Sequence, residues 1–191
     1  MPELGALLAG LQSGDPVRAE AAAIALPEYG DQVLSELGNL VAASNPDVRW
    51  WVVRSLAGFP QEQAGKMLIH SLADPEVSVC HCAALALSMQ PRAAAIEPLL
   101  GLLGSQDSLL ARLAANALVT GGSQAVPGLL EAIEQDSTQV KAEAARALAL
   151  IGDTRAIPAL FKLLESESAI LEHWASEGLA KMGVGMSFFQ T

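Results

Sequence analysis

The sequence predicts an all-α fold, an α-solenoid of about six helix pairs wound into a right-handed superhelix. Three observations carry that prediction: an apolar content made mostly of alanine and leucine, a repeat of about thirty residues, and a helical stripe inside each repeat. Of the 191 residues, 51% are hydrophobic but only 4% are aromatic. Such a composition favours closely packed helices over a β-sandwich.

The repeat is visible by direct comparison. "AIPALFKLLESESAILEHWASEGLAKMG" (Ala156 to Gly183) aligns without a gap on "AVPGLLEAIEQDSTQVKAEAARALALIG" (Ala125 to Gly152). In the same register a leucine recurs at Leu7, Leu37, Leu68, Leu99, Leu129 and Leu160. A second leucine recurs at Leu26, Leu56, Leu87, Leu118, Leu148 and Leu179. A breaker closes each unit: Gly30, Pro60, Pro91, Gly122, Gly152, Gly183. The units span about 1–30, 31–60, 61–91, 92–122, 123–152 and 153–183. They are expected to form one repeat domain over 1–183, leaving 184–191 as a C-terminal tail.

Each unit reads as two helices and a short link. The first helix carries apolar residues at helical spacing, for example Val126, Leu129, Leu130 and Ile133, and Pro98, Pro127 and Pro158 fall in its first turn, where a missing N–H costs little. The links "SGDP", "SNPD", "QDST" and "SESA" supply residues that cap helix N-termini. The second helix carries a stripe such as Val140, Ala144, Ala147, Leu148 and Ile151. The closing glycine suits a helix C-terminus. A lone pair cannot bury its stripe, so stability must come from stacking. The third unit departs from the rule: its "DPEV" sits two residues early relative to "NPDV" in the second. A longer second helix or a shifted turn is expected there.

"TRAIPALFKLLES" and "VKAEAARALALIG" resemble the HEAT-like repeats of phycobilisome (bilin) lyases. The resemblance covers nearly the whole chain, more loosely in the first two units. It implies helix-pair stacking and, as an alternative function, a bilin lyase-like chromophore-handling protein or lyase subunit. Its partners would then be a bilin or a phycobiliprotein.

Charge narrows the partners. The net charge is −10, from 11 Lys+Arg against 21 Asp+Glu. Neither a nucleic-acid backbone nor an anionic membrane surface is expected to bind such a chain. No apolar run approaches ~18 residues, so no membrane span is expected. The N-terminus "MPELGALLAGLQ" lacks the basic segment of a signal peptide. With Cys80 and Cys82 unable to pair within one helix, a reduced cytoplasmic setting is expected.

The repeat register also predicts a binding face. Counting from the first core position of each second helix (Arg18, Val48, Val79, Leu110, Val140, Leu171), position two points about 200° away from the core. Positions two, three and six then form a ridge on the expected concave face. On it lie Trp50, Trp51 and Arg54; His81 and Leu85; Arg112 and Asn116; Arg146; and His173, Trp174 and Glu177. These are the candidate partner-binding residues. A lone exposed histidine is more often solvated surface than a ligand, and tryptophans at the flanking position, such as Trp51 and Trp174, more often pack between repeats. Trp50 with Arg54 one turn on has the makeup of an interface anchor. Arg146, read as a solvated ridge residue, is expected to tolerate truncation. Under the bilin alternative, Arg54, Arg112 and Arg146 would pair with propionates and Trp50 or Trp51 would stack on the pigment.

No catalytic or metal site is expected. Cys80, His81 and Cys82 diverge around one helix and cannot close on one ion. The HEAT-like enzyme deoxyhypusine hydroxylase holds two irons with His-Glu pairs at positions two and three. Here those pairs are Glu-Ala, Trp-Trp, His-Cys, Arg-Leu, Ala-Glu and His-Trp. HEAT-like DNA glycosylases are basic clamps, and this chain is acidic. The expected function is therefore a protein-interaction scaffold, non-enzymatic and without a cofactor, binding another protein on the ridge.

Overall fold

The computed structural model describes residues 3–184, so the expected tail beyond Val184 lies outside the described residues. The chain divides into two compact units, Met1–Arg92 and Ala93–Thr191. The division falls between the third and fourth sequence repeats. The first unit pairs α1 (Leu4–Leu11) with α2 (Pro16–Ala25), α3 (Leu34–Leu40) with α4 (Pro46–Leu56), and α5 (Glu62–Ser71) with α6 (Val77–Met89). The second pairs α7 (Ile96–Gly101) with α8 (Ser108–Gly121), α9 (Val126–Ala132) with α10 (Thr138–Ile151), and α11 (Ile157–Leu164) with α12 (Ala169–Lys181). No strand occurs among the described residues.

Stacking runs through the second helices. In the first unit α4 packs on both α2 and α6; in the second α10 packs on both α8 and α12. Both leucine rows are buried throughout, as the register requires. The first core position departs once: Arg18 is exposed, whereas Val48, Val79, Leu110, Val140 and Leu171 are buried.

The ends of the helices follow local chemistry. Asp15, Asn45, Asp107 and Ser137 accept backbone N–H bonds at the starts of α2, α4, α8 and α10. Ser168 precedes α12 in the same position, but its side chain makes no capping bond. Gly152 ends α10 in the left-handed region (φ 72°), and its N–H donates to the Leu148 carbonyl at 3.0 Å. Cations close the free carbonyls of a preceding repeat: Arg92 donates to the Phe59 and Pro60 oxygens, and Lys181 to that of Leu150.

The irregular third repeat resolves as a shifted turn before a helix of 13 residues, against 11 in α4. The α6 helix starts two residues before Val79, as every second helix starts two before its own first core position. Glu76 occupies the cap position without a capping bond. Asp74, displaced into the link, accepts the Glu76 N–H at 2.8 Å instead. Its carboxylate is thereby aimed at Arg49 of the preceding repeat, with Nε and Nη2 each donating at 2.7 Å.

Candidate functional site

The outer row of the second helices has a different character in each unit. In the first unit it is apolar and aromatic. Trp50 and Trp51 on α4 are half-buried and meet edge to face, with ring centroids 4.7 Å apart. Flanking them, Ile24 on α2 is 63% exposed and Leu85 on α6 is 52% exposed. Val17 (76%) and Met89 (64%) carry the same apolar character further along α2 and α6. A shallow depression of about 300 Å³, lined by Asp47, Trp50, Trp51 and Ser78, opens beside the indoles. His81 is half-buried on α6.

Arg54 is the cation of this face. It is half-buried, and no side-chain hydrogen bond or ion pair holds its guanidinium among the described residues. A guanidinium has five N–H donors, so its hydrogen-bonding capacity is left to solvent or to a ligand.

In the second unit the same row is a closed polar network. The Glu143 carboxylate accepts from Arg112 Nε at 2.9 and 3.0 Å and from Arg146 Nε at 3.1 Å. Arg146 Nη2 donates to Asn116 Oδ1 at 2.7 Å and reaches the Arg112 carbonyl at 3.5 Å. Arg146 is consequently only 6% exposed, which corrects the expectation of a solvated ridge residue. The cause is Glu143, one helical turn earlier, which draws the guanidinium down against α8 instead of releasing it to solvent. Arg112 and Asn116 remain exposed at the edge of the network.

On α12, His173 and Glu177 are exposed and Trp174 is half-buried. The His173 and Trp174 rings meet edge to face at 4.9 Å. The structure thus brings Trp50, Trp51, Arg54, His81 and Leu85 together in the first unit. In the second it joins Arg112, Asn116 and Arg146, and places His173, Trp174 and Glu177 on α12. The candidate partner-binding residues left out Val17, Ile24 and Met89, although the register puts Ile24 in the position-six row. The signal was available, since Ile24 and Leu85 share position six and Met89 follows Leu85 by one turn.

The two thiols do not meet. Cys80 Sγ donates to the Asp74 carbonyl at 3.2 Å, and Cys82 Sγ lies 3.9 Å from that of Trp50. Both are buried, and burial pushes the Cys82 thiol up to about 11. Among the described residues no group of three His, Cys, Asp or Glu side chains converges as a metal site would require. Nor is any described helix long and apolar enough to cross a membrane.

Comparison with known proteins places this geometry. No curated protein matches the chain in sequence. Among solved structures, an engineered protein is 24% identical with a TM-score of 0.54, over 97% of this chain and 98% of that one. A designed armadillo repeat protein in complex with peptide (KR)4 is 21% identical with a TM-score of 0.55, over 94% and 99%. The complex of CpcE and CpcF of phycocyanin lyase from Nostoc sp. PCC7120 is 22% identical with a TM-score of 0.57, over 96% and 78%. These likenesses show the shared solenoid fold. The family model for HEAT repeats matches residues 4–88 and 126–185, which is most of the chain. Stacked helix pairs, the repeated leucine rows and that match together show that the chain belongs to the HEAT-repeat family.

Proposed function

We propose that this protein is a non-catalytic scaffold that binds a protein partner on the second-helix face of its first unit. The observation that carries this reading is the face itself: two half-buried tryptophans on α4, with Ile24 and Leu85 exposed on the helices to either side and Arg54 unpaired among the described residues. Aromatic residues and arginine are the usual anchors of protein interfaces, and a contiguous exposed apolar patch marks an interaction site. The likeness to a designed armadillo protein that holds a peptide supports the same use of stacked helices. His173 and Glu177 on α12 would serve as a separate contact in the second unit.

The test is capture of a partner from the native host, followed by calorimetry on the recovered protein. Trp50→Ala weakens binding by about 2 kcal/mol or more if the indole is an anchor. Unchanged affinity for both Trp50→Ala and Arg54→Ala would reduce the face to solvated surface and remove the reading. His173→Ala reports separately on the contact in the second unit.

The bilin reading ranks second. The likeness to the phycocyanin lyase complex favours it. The arginines fit it poorly: of Arg54, Arg112 and Arg146, the last two are committed to Glu143. One uncommitted guanidinium does not match two propionates. A shifted and intensified visible band on mixing the protein with a bilin would reverse this ranking.

A further inference from the structure

We infer that the first-unit face selects a segment in which a carboxylate side chain lies between two apolar ones, and that Arg54 is the residue that reads the carboxylate. This rests on the binding-face reading above and names the partner's chemistry.

The argument starts from a pair of arginines at one register position. Arg54 and Arg146 both occupy position six of their second helices. Arg146 is held by Glu143 through Nε and by Asn116 and the Arg112 carbonyl through Nη2. Arg54 has no such partner among the described residues, because Trp51 stands at position three of α4, where α10 carries Glu143. Glu20 on α2 is exposed and forms no ion pair with it. Asp47, the acid of the same helix, lies about 10 Å back along α4 at 1.5 Å per residue, beside the depression next to Trp50. Arg54 therefore presents an unpaired guanidinium between the exposed apolar side chains of Ile24 and Leu85.

A partner covering Ile24 and Leu85 also covers Arg54, since α4 lies between α2 and α6. Covering a guanidinium without an acceptor costs its lost hydration, whereas a carboxylate restores the interaction in charge-assisted and bidentate form. Basic and purely apolar segments are rejected for the same reason. Spacing adds a second constraint. Packed helices stand about 8–10 Å apart, and an extended chain with three residues per turn advances about 9 Å between side chains on one side. The row Ile24, Arg54, Leu85 then addresses every third residue of an extended partner, in the order apolar, acidic, apolar.

The test is selection from a displayed library of random twelve-residue peptides on the full chain. Selected peptides are expected to carry Asp or Glu flanked by apolar residues. Replacing that acid by its amide should weaken binding at least tenfold to the parent and leave binding to Arg54→Gln unchanged. Arg54→Glu should shift the selection to Lys or Arg, and Arg54→Lys should retain the acidic preference. Each variant is first shown to melt like the parent. Peptides that depend on Trp50 but show no acid, or whose binding ignores Arg54→Glu, overturn this inference and leave the binding face intact. No selected peptide that depends on Trp50 overturns both.

Discussion

The Arg49 guanidinium grips the Asp74 carboxylate through two 2.7 Å hydrogen bonds, and its third nitrogen donates to the Ala43 and Ser44 carbonyls at 2.9 and 3.1 Å. One side chain thus ties the link of the second repeat to the link of the third. Both side chains are nearly buried, at 11% and 8% exposure.

That pair sets a pH dependence. The hydrogen bond from Arg49 holds the Asp74 carboxyl below its ordinary value. Its stabilisation is therefore full above the unfolded-state value of about 4 and is lost as pH falls through the lower folded value. Asp74→Ala is expected to cost about 2 kcal/mol at pH 7, less than a fully buried pair would. Urea unfolding of parent and variant from pH 7 to pH 2 checks it. A stability gap that stays constant over that range would refute the linkage.

Leu148 is fully buried, and Leu148→Asp places an unpaired charge in the core, costing several kcal/mol and unfolding the second unit. Arg146→Ala is no longer expected to be mild. It removes charge-assisted bonds to Glu143 and Asn116 and leaves a void against α8, for about 1–3 kcal/mol. Thermal melts that show Arg146→Ala equal to the parent would mean the network contributes nothing.

Position seven of the second helices is small throughout: Ala25, Ser55, Ala86, Ala117, Ala147, Gly178. The Ser55 hydroxyl is buried there without a hydrogen-bond partner among the described residues. Ser55→Ala should raise stability by about 1 kcal/mol, from relief of the unpaired oxygen and better helix propensity. At Gly178 the sign reverses. An added Cβ would stand 2.8 Å from Leu160 Cδ1 and 3.0 Å from the Cα of Ala149. Gly178→Ala should therefore lose about 1–3 kcal/mol of packing, outweighing a propensity gain of about 1. Melting temperatures that move the same way for both variants would contradict the close approach of α12 to α10.

Cys80 and Cys82 should be inert in the folded protein, since both thiols are buried and both are raised by burial. A thiol-reactive reagent at pH 8 is expected to label neither residue natively and both in denaturant. Rapid native labelling would show that α6 is not packed as described.

The sequence by itself determined the repeat, the helix pairs and the buried rows. Leu118 and Leu148 are legible as core because a helical stripe recurs with period thirty, and a stripe has nowhere to go except against the next repeat. It also placed Trp50, Arg54 and Leu85 on one face, since register alone fixes direction around a helix. Tertiary structure decided which of those residues are available. Arg54 and Arg146 have the same register, yet one is uncommitted and the other is buried, because the fate of a long charged side chain depends on its neighbours across the helix interface. Glu143 captures Arg146, whereas Trp51 in the matching place offers Arg54 no acceptor. The displaced Asp74 shows the same dependence. The sequence marked its early position as irregular, but only the packing of α4 on α6 turned that irregularity into the clasp on Arg49.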